Sequence, residues 1–123
     1  HSKVHSSDGK KRPEFDDPGD PSKAPGVKHP MVRTHPATGK KCLYLGRRLN
    51  SYIFGLSVDE SEALLDEIWA HTCRDKYAWE HRWKVGDLLV WDNRCTMHHR
   101  NAFPANARRL MHKSITAGEP VVQ

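Results

Sequence analysis

One segment of the chain predicts an α-helix more strongly than any other, and it limits how the remainder can fold. Ser57 and Glu60 match the Ser-x-x-Glu capping box that marks a helix start. The residues after them form one apolar stripe of helical spacing, which consists of Leu64, Leu65, Ile68 and Trp69. We therefore predict a helix over residues 58–72, and we expect mainly strands and loops elsewhere.

Short apolar segments bounded by turn residues predict the strands. They lie at residues 41–45, 51–54, 79–85, 88–91 and 109–116. The third alternates aromatic or apolar residues with charged ones, which is typical of a half-buried strand, and the fourth is continuously apolar, which is typical of a buried one. One or two helices among several short strands indicate a mainly β fold.

The beginning of the chain differs in composition from the rest. Residues 1–28 are polar and rich in proline, and the close spacing of the prolines excludes a continuous helix. A segment with so few apolar residues does not bury enough surface to offset the entropy lost on ordering. We expect residues 1–28 to form a flexible arm or loop and residues 29–123 to form the folded domain.

Charge and cysteine content restrict the classes of function. The net charge of +5 comes from basic and acidic residues that are mixed along the chain, so we expect no nucleic-acid partner. Three cysteines without a Cys-x-x-Cys pair favour a reduced, cytoplasmic location. No apolar run approaches the roughly 20 residues that cross a membrane, and no signal peptide is visible.

Histidines are frequent in this chain, and two of them stand together after a turn. The nine histidines include His98 and His99, which follow the turn at Trp91–Arg94. A neutral imidazole is a good ligand for iron, zinc, copper or nickel. Because one histidine does not make a metal site, the neighbouring residues decide the interpretation.

The run from Trp91 to His98, followed after ten residues by Arg109–His112, resembles the C-terminal signature of the taurine/2,4-dichlorophenoxyacetate dioxygenases. Further pieces resemble the same family in the same order: His29–Lys40, Gly55–Leu65 and Trp83–Asp87, with the similarity ending near Pro120. The resemblance implies an Fe(II) enzyme that uses 2-oxoglutarate as co-substrate. It also implies that the chain is the C-terminal part of a double-stranded β-helix, which is a jelly roll.

The resemblance assigns roles to individual residues. His98 corresponds to the distal histidine of the family's iron site of two histidines and one carboxylate, whereas the spacing of His99 fits less well. Arg109 corresponds to the residue that binds the far carboxylate of 2-oxoglutarate, as suits a guanidinium fork. Lys113 replaces an arginine that holds the acidic group of the substrate, so we expect a small anionic substrate. Leu49 falls where the family can place an aromatic residue of the substrate pocket.

The sequence departs from the family in one respect that bears on activity. The family's other two iron ligands belong to a His-x-Asp or His-x-Glu motif, and none of the nine histidines is followed two places later by an acidic residue. This chain therefore cannot supply the full ligand set, and we expect it to be inactive alone. Strands that lack partners would also favour a homo-oligomer.

Three other interpretations stay open. A structural zinc site would use His71, Cys73, Cys95 and His98. A basic interaction domain would bind an anionic partner with a steep salt dependence. A non-catalytic remnant of a dioxygenase would need no partner, and it accounts better than the other two for the missing His-x-Asp motif.

Overall fold

The computed structural model describes residues 2–6, 9–46 and 49–118. In chain order its elements are a 3₁₀ turn at Pro21–Lys23, strand β1 at Val32–Thr34, strand β2 at Lys41–Leu43, helix α1 at Val58–Thr72 and a 3₁₀ turn at Asp75–Tyr77. None of the helices in this described part has the length and hydropathy needed to cross a membrane. Residues 1, 7 and 8 of the predicted arm, and Pro120 at the end of the similar region, lie outside the described residues.

Helix α1 confirms the strongest sequence prediction, because it spans the predicted residues and begins at the predicted cap. The Glu60 N–H donates to Ser57 Oγ at 3.3 Å, and the Ser57 N–H donates to Glu60 Oε2 at 2.9 Å. The hydrogen bonds from Ser57 lower the pKa of the Glu60 carboxyl. Ser61 and Leu65 face the interior, whereas Leu64 of the predicted stripe is exposed. The buried face of α1 is therefore narrower than the sequence indicates.

β1 and β2 form a two-stranded antiparallel sheet in which Val32 lies opposite Leu43. In the turn between them, the Gly39 N–H donates to the His35 carbonyl at 2.8 Å. Gly39 has a φ of 68°, a left-handed conformation that glycine adopts without strain. The predicted strand at 41–45 is confirmed over its first three residues.

Four predicted strands are absent from the described residues: 51–54, 79–85, 88–91 and 109–116. These predictions are wrong for a common reason. A strand is held by hydrogen bonds to a neighbouring strand, and no neighbour pairs with these segments in the described part of the chain. Val85 is fully exposed and Leu88 is 89% exposed. One helix and a two-stranded sheet are consistent with a fragment of a mainly β protein.

The described part of the predicted arm makes ordered contacts. Val4 is completely buried, and His5 Nδ1 lies 3.5 Å from the side-chain amide nitrogen of Asn50. An isolated bridge pairs His5 with Lys11. The predicted loop therefore packs against other residues instead of extending freely, and a domain boundary at residue 28 stays a prediction.

The interior of the described residues is small and largely polar. Its buried apolar side chains are Val4 and Leu65, and its buried polar residues are Ser2, His5, Arg33, His35, Ser51 and Ser61. Because burial of apolar area is the main favourable contribution to folding, so small an interior offers little stability by itself.

Candidate functional site

The most connected group of polar side chains lies beside the β1–β2 turn. We call it the His35 cluster, and it consists of His35, Asp92, Arg94 and Cys95. His35 directly follows β1 and is buried, and its Nε2 lies 3.0 Å from Asp92 Oδ2. A contact between residues 57 apart in the chain thus joins the hairpin to the loop that leads to His98.

Asp92 is the centre of this cluster. Its carboxylate accepts hydrogen bonds from the Arg94 N–H at 2.9 Å, from Arg94 Nε at 2.9 Å and from Arg94 Nη2 at 2.6 Å. Its backbone carbonyl accepts from the Thr96 N–H at 3.1 Å and from the Thr96 hydroxyl at 2.6 Å. Hydrogen bonds from Arg94, and then from His35, hold the pKa of the Asp92 carboxyl well below its usual range. Asp92 therefore stays ionised and fixes the turn before His98.

Two thiols lie near this turn. The Cys42 thiol is 3.6 Å from the carbonyl oxygens of Arg33 and Arg94, so it contacts both the hairpin and the turn. Desolvation raises the pKa of the Cys95 thiol, and the negative charge of Asp92 adds to that effect. A protonated thiol is a weak nucleophile and a weak metal ligand, which argues against a reactive thiol at Cys95.

The ligand atoms of His35, Asp92 and Cys95 all lie within 4.8 Å of one another, which is close enough for one metal ion. Two contacts oppose a metal. The Arg94 guanidinium brings a positive charge next to the Asp92 carboxylate, which disfavours a cation there. The Ala37 N–H donates to His35 Nδ1 at 3.3 Å. A histidine that ligates a metal usually donates from its second nitrogen, whereas His35 accepts there and carries its proton on Nε2. The cluster is therefore better described as a hydrogen-bonded link between two segments.

The residues predicted from the family resemblance lie at exposed positions. The His98 ring is 5.2 Å from the Trp91 ring, measured between centroids. The Arg109 guanidinium carbon is 5.6 Å from the centroid of the Phe103 ring. Lys113 and Leu49 are exposed. Among the described residues, no hydrogen bond, ion pair or ring contact joins any two of His98, Arg109, Lys113 and Leu49.

The zinc alternative finds no preformed site in the part of the chain that the structure describes. The His35 cluster provides the one group of three metal-ligating side chains found there, and it shares only Cys95 with the proposed zinc set. His71 instead contacts Tyr77, whose hydroxyl lies 3.2 Å from His71 Nε2. Cys73, at the C-cap of α1, is exposed.

Sequence reasoning did not identify the pairing of His35 with Asp92. Both residues stand inside segments that resemble the dioxygenase family, at His29–Lys40 and Trp91–His98. Nothing in a single sequence, however, indicates that two polar residues so far apart are hydrogen-bonded. The signal that was available was the turn at Asp92 and Asn93, where an aspartate side chain commonly binds the backbone two residues later.

A second polar link lies in the turn at Gly86. His81 Nε2 is 3.1 Å from Asp87 Oδ2, and the Lys84 N–H donates to the same oxygen at 2.8 Å. The Trp83 ring meets the His81 ring edge-on, with centroids 4.7 Å apart. The Asp87 N–H also donates to the Lys84 carbonyl at 3.2 Å and closes this turn, although the strands expected on either side of it do not form.

Comparison with known proteins identifies relatives for most of the chain. The profile of the family described as taurine catabolism dioxygenase TauD, TfdA family, matches residues 2–115. An alpha-ketoglutarate-dependent 2,4-dichlorophenoxyacetate dioxygenase of Cupriavidus pinatubonensis is 40% identical over 98 residues, which are 80% of this chain and 34% of that protein. An (S)-phenoxypropionate/alpha-ketoglutarate-dioxygenase of Sphingobium herbicidovorans is 38% identical over 91 residues, 74% of this chain and 31% of that protein.

A third relative, an alpha-ketoglutarate-dependent sulfate ester dioxygenase of Pseudomonas putida, is 34% identical over 93 residues, 76% of this chain and 31% of that protein. The chain thus spans about a third of the length of these relatives. No solved structure matches the chain. The profile match over residues 2–115 nevertheless covers most of the sequence. On that match, the chain belongs to the TauD/TfdA family of dioxygenases.

Proposed function

We propose that this chain is the C-terminal part of an Fe(II)/2-oxoglutarate-dependent dioxygenase. Such an enzyme couples the oxidative decarboxylation of 2-oxoglutarate to hydroxylation of a small organic substrate. The observation that carries the proposal is the family match over residues 2–115, together with relatives whose names state dependence on alpha-ketoglutarate. The resemblance implies a double-stranded β-helix as the complete fold.

His98 is the residue of this chain that would ligate the iron. Its imidazole is exposed, so a ligand can reach it, and it follows directly on the loop that Asp92 fixes. Iron supplies the oxygen activation in this chemistry, and it requires two further protein ligands in the family's arrangement. No histidine of this sequence stands two places before an acidic residue, so those ligands must come from elsewhere.

Arg109 would bind the distal carboxylate of 2-oxoglutarate and thereby orient it. A guanidinium group offers two parallel N–H donors, which match the two oxygens of a carboxylate. The Arg109 side chain is exposed and contacts the Phe103 ring, which leaves its N–H groups accessible.

The substrate is proposed to be small and anionic, such as a carboxylate or a sulfonate. Lys113 would attract its charged group, although an ammonium lacks the two-pronged geometry of an arginine. Leu49 would line the pocket. Relatives named for a dichlorophenoxyacetate, a phenoxypropionate and a sulfate ester support this class, because each of those compounds carries an acidic group. Replacement of Lys113 by methionine should weaken the preference for anionic over neutral substrates.

Residues 1–123 alone are proposed to be inactive and prone to self-association. Exposed apolar side chains such as Trp79, Val85 and Leu88 would be covered in a complete β-helix, and in its absence they favour a homo-oligomer. A cytoplasmic location suits the free thiols of Cys42, Cys73 and Cys95.

The test of the function uses an extended chain, which we define as residues 1–123 preceded by the upstream sequence up to and including a His-x-Asp motif. With Fe(II), ascorbate, 2-oxoglutarate and oxygen, it should form succinate when a substrate is present. His98→Ala should abolish this turnover, while the adjacent control His99→Ala should retain most of it. Equal losses in both variants would contradict the assignment of His98.

A non-catalytic remnant is the second candidate, and the absent His-x-Asp motif favours it. It predicts that no upstream coding sequence contains this motif and that no extended chain forms succinate. The same experiment therefore separates the two functions.

A further inference from the structure

On the basis of the proposed function, in which His98 ligates iron, we infer that His35 is a positioning residue for that ligand. Its hydrogen bond to Asp92 holds the loop at residues 91–98 against the β1–β2 hairpin. It thereby sets where the His98 imidazole is presented.

The His35 side chain is fixed on the hairpin side. It is 8% exposed, and its backbone takes part in the turn, where the His35 N–H donates to the Lys40 carbonyl at 2.8 Å. The Ala37 N–H donates to Nδ1 at 3.3 Å, which orients the ring and leaves the proton on Nε2. The imidazole is therefore a rigid donor aimed at Asp92.

Asp92 connects His35 to the rest of the loop at residues 91–98. Its carboxylate binds Arg94 through both the backbone N–H and the guanidinium, and its carbonyl binds Thr96 through both the N–H and the hydroxyl. Thr96 stands two residues before His98. At the other end of the loop, Trp91 Nε1 donates to Asn93 Oδ1 at 2.8 Å, and the Trp91 ring contacts His98.

The contacts of Arg94 and Thr96 with Asp92 are local, because they join residues two and four apart. They shape the loop but do not place it relative to the hairpin. The hydrogen bond from His35 does join the loop to the hairpin, and so does the weaker contact of the Cys42 thiol, which lies 3.6 Å from the Arg94 carbonyl. Loss of His35 should therefore leave the loop unfixed relative to the hairpin, so that its local hydrogen bonds also open more often.

Displacement of a metal ligand is costly for binding. Removal of a hydrogen-bond partner that orients a metal ligand typically weakens metal affinity by about 10–100-fold.

Two substitutions of His35 distinguish the effect of its hydrogen bond from the effect of its packing. In His35→Gln an N–H donor is kept near the position of Nε2 without a ring, and in His35→Phe the ring is kept without a donor.

The first measurement needs no iron. In the 123-residue chain, amide exchange of Thr96, followed by NMR, reports the hydrogen bond to the Asp92 carbonyl. We expect His35→Phe to accelerate this exchange about tenfold or more, because the loop opens more often. We expect His35→Gln to stay within about threefold of the original chain. The matched control His112→Phe alters an exposed histidine outside the loop and should have no effect, and far-UV circular dichroism of α1 verifies folding.

The second measurement is the anaerobic Fe(II) dissociation constant of the extended chain with 2-oxoglutarate bound. His35→Phe should raise it about 10–100-fold, and His35→Gln should restore most of the affinity. An unchanged dissociation constant in His35→Phe would overturn the inference, and so would a loss in His35→Gln as large as that in His35→Phe. If the unaltered extended chain binds no iron while the exchange result holds, the proposed function fails and the link between His35 and the loop stands.

Discussion

The two ends of this chain contrast in how far they bury their side chains. Every buried residue among those described lies at or before Leu65, and both the hairpin and the long helix lie before Cys73. After Cys73 the described chain contains a single 3₁₀ turn and no strand, and Trp79, Leu88 and Leu110 are exposed. The later region is nevertheless the one that carries the candidate iron and co-substrate residues.

The contrast distinguishes two kinds of element. Some are specified by residues close together in the sequence, and others need partners far away in the chain. A capped helix and a hairpin are specified by residues a few positions apart. The segments at 79–85, 88–91 and 109–116 have strand-like patterns, but their strands would form only against neighbours that this chain does not provide in its described part. The region that carries the candidate site residues is therefore the one that depends most on strand partners elsewhere.

The largest expected effect is the presence or absence of catalysis. The 123-residue chain, incubated with Fe(II), ascorbate, 2-oxoglutarate and oxygen, should form no succinate above the free-iron background, because one histidine cannot hold the iron in the required geometry. The extended chain should be active. If the 123-residue chain forms succinate and His98→Ala abolishes it, then other groups of this chain complete the iron site and the prediction is wrong.

Core truncation should distinguish the two regions in stability. Leu65 is 4% exposed, so Leu65→Ala should lower the free energy of unfolding by about 2–4 kcal/mol. Leu88 is 89% exposed, so the matched control Leu88→Ala should change it by less than about 0.5 kcal/mol. Urea unfolding followed by far-UV circular dichroism measures both. A comparable loss from the control would mean that the later region packs in solution.

Truncation of Arg109 should weaken the co-substrate in the extended chain. A hydrogen bond to a charged group contributes about 1.5–3 kcal/mol, so Arg109→Ala should raise the KM for 2-oxoglutarate at least about tenfold. A strand at this place in a complete β-helix would put the neighbouring Arg108 on the opposite face, so Arg108→Ala should leave the KM nearly unchanged. An unchanged value in Arg109→Ala would remove this residue from the site.

The smallest effect concerns the helix cap. Ser57→Ala removes the acceptor for the Glu60 N–H and should lower the free energy of unfolding by about 1 kcal/mol. Ser114→Ala, at an exposed position in the later region, serves as the control and should have no measurable effect. If Ser57→Ala also has none, the helix is held by tertiary contacts and not by its own sequence.

The same distinction explains which parts of the fold were predictable. The bounds of α1 and its cap follow from the spacing of Ser57, Glu60 and the leucines, because those interactions lie within one or two helical turns. The alternation at 79–85 favours a strand, but the prediction is wrong for the described chain because a strand forms only by pairing with a neighbour. Val4 lies inside the segment predicted to be a flexible arm or loop, and composition does not show that one valine fills a buried space.

For the candidate site, the sequence indicated residue types and a family, and it did not indicate contacts. His98, Arg109, Lys113 and Leu49 were identified through the resemblance, and their roles stay predictions. The link between His35 and Asp92 joins residues 57 apart, and such long-range contacts have no local pattern in one sequence. Geometry was needed to find it.

The separation of 57 residues between His35 and Asp92 along the chain has a kinetic consequence. Closing a loop of this size costs roughly 3–4 kcal/mol of chain entropy by the logarithmic scaling of loop closure. The hairpin and α1 form from contacts close in sequence and lose less chain entropy on closure, so they should form first, with the His35–Asp92 contact formed after the folding barrier. A weakened contact should then accelerate unfolding while the folding rate stays nearly constant. Within the described chain, the loop that presents His98 would thus be the last part to fold and the first to unfold.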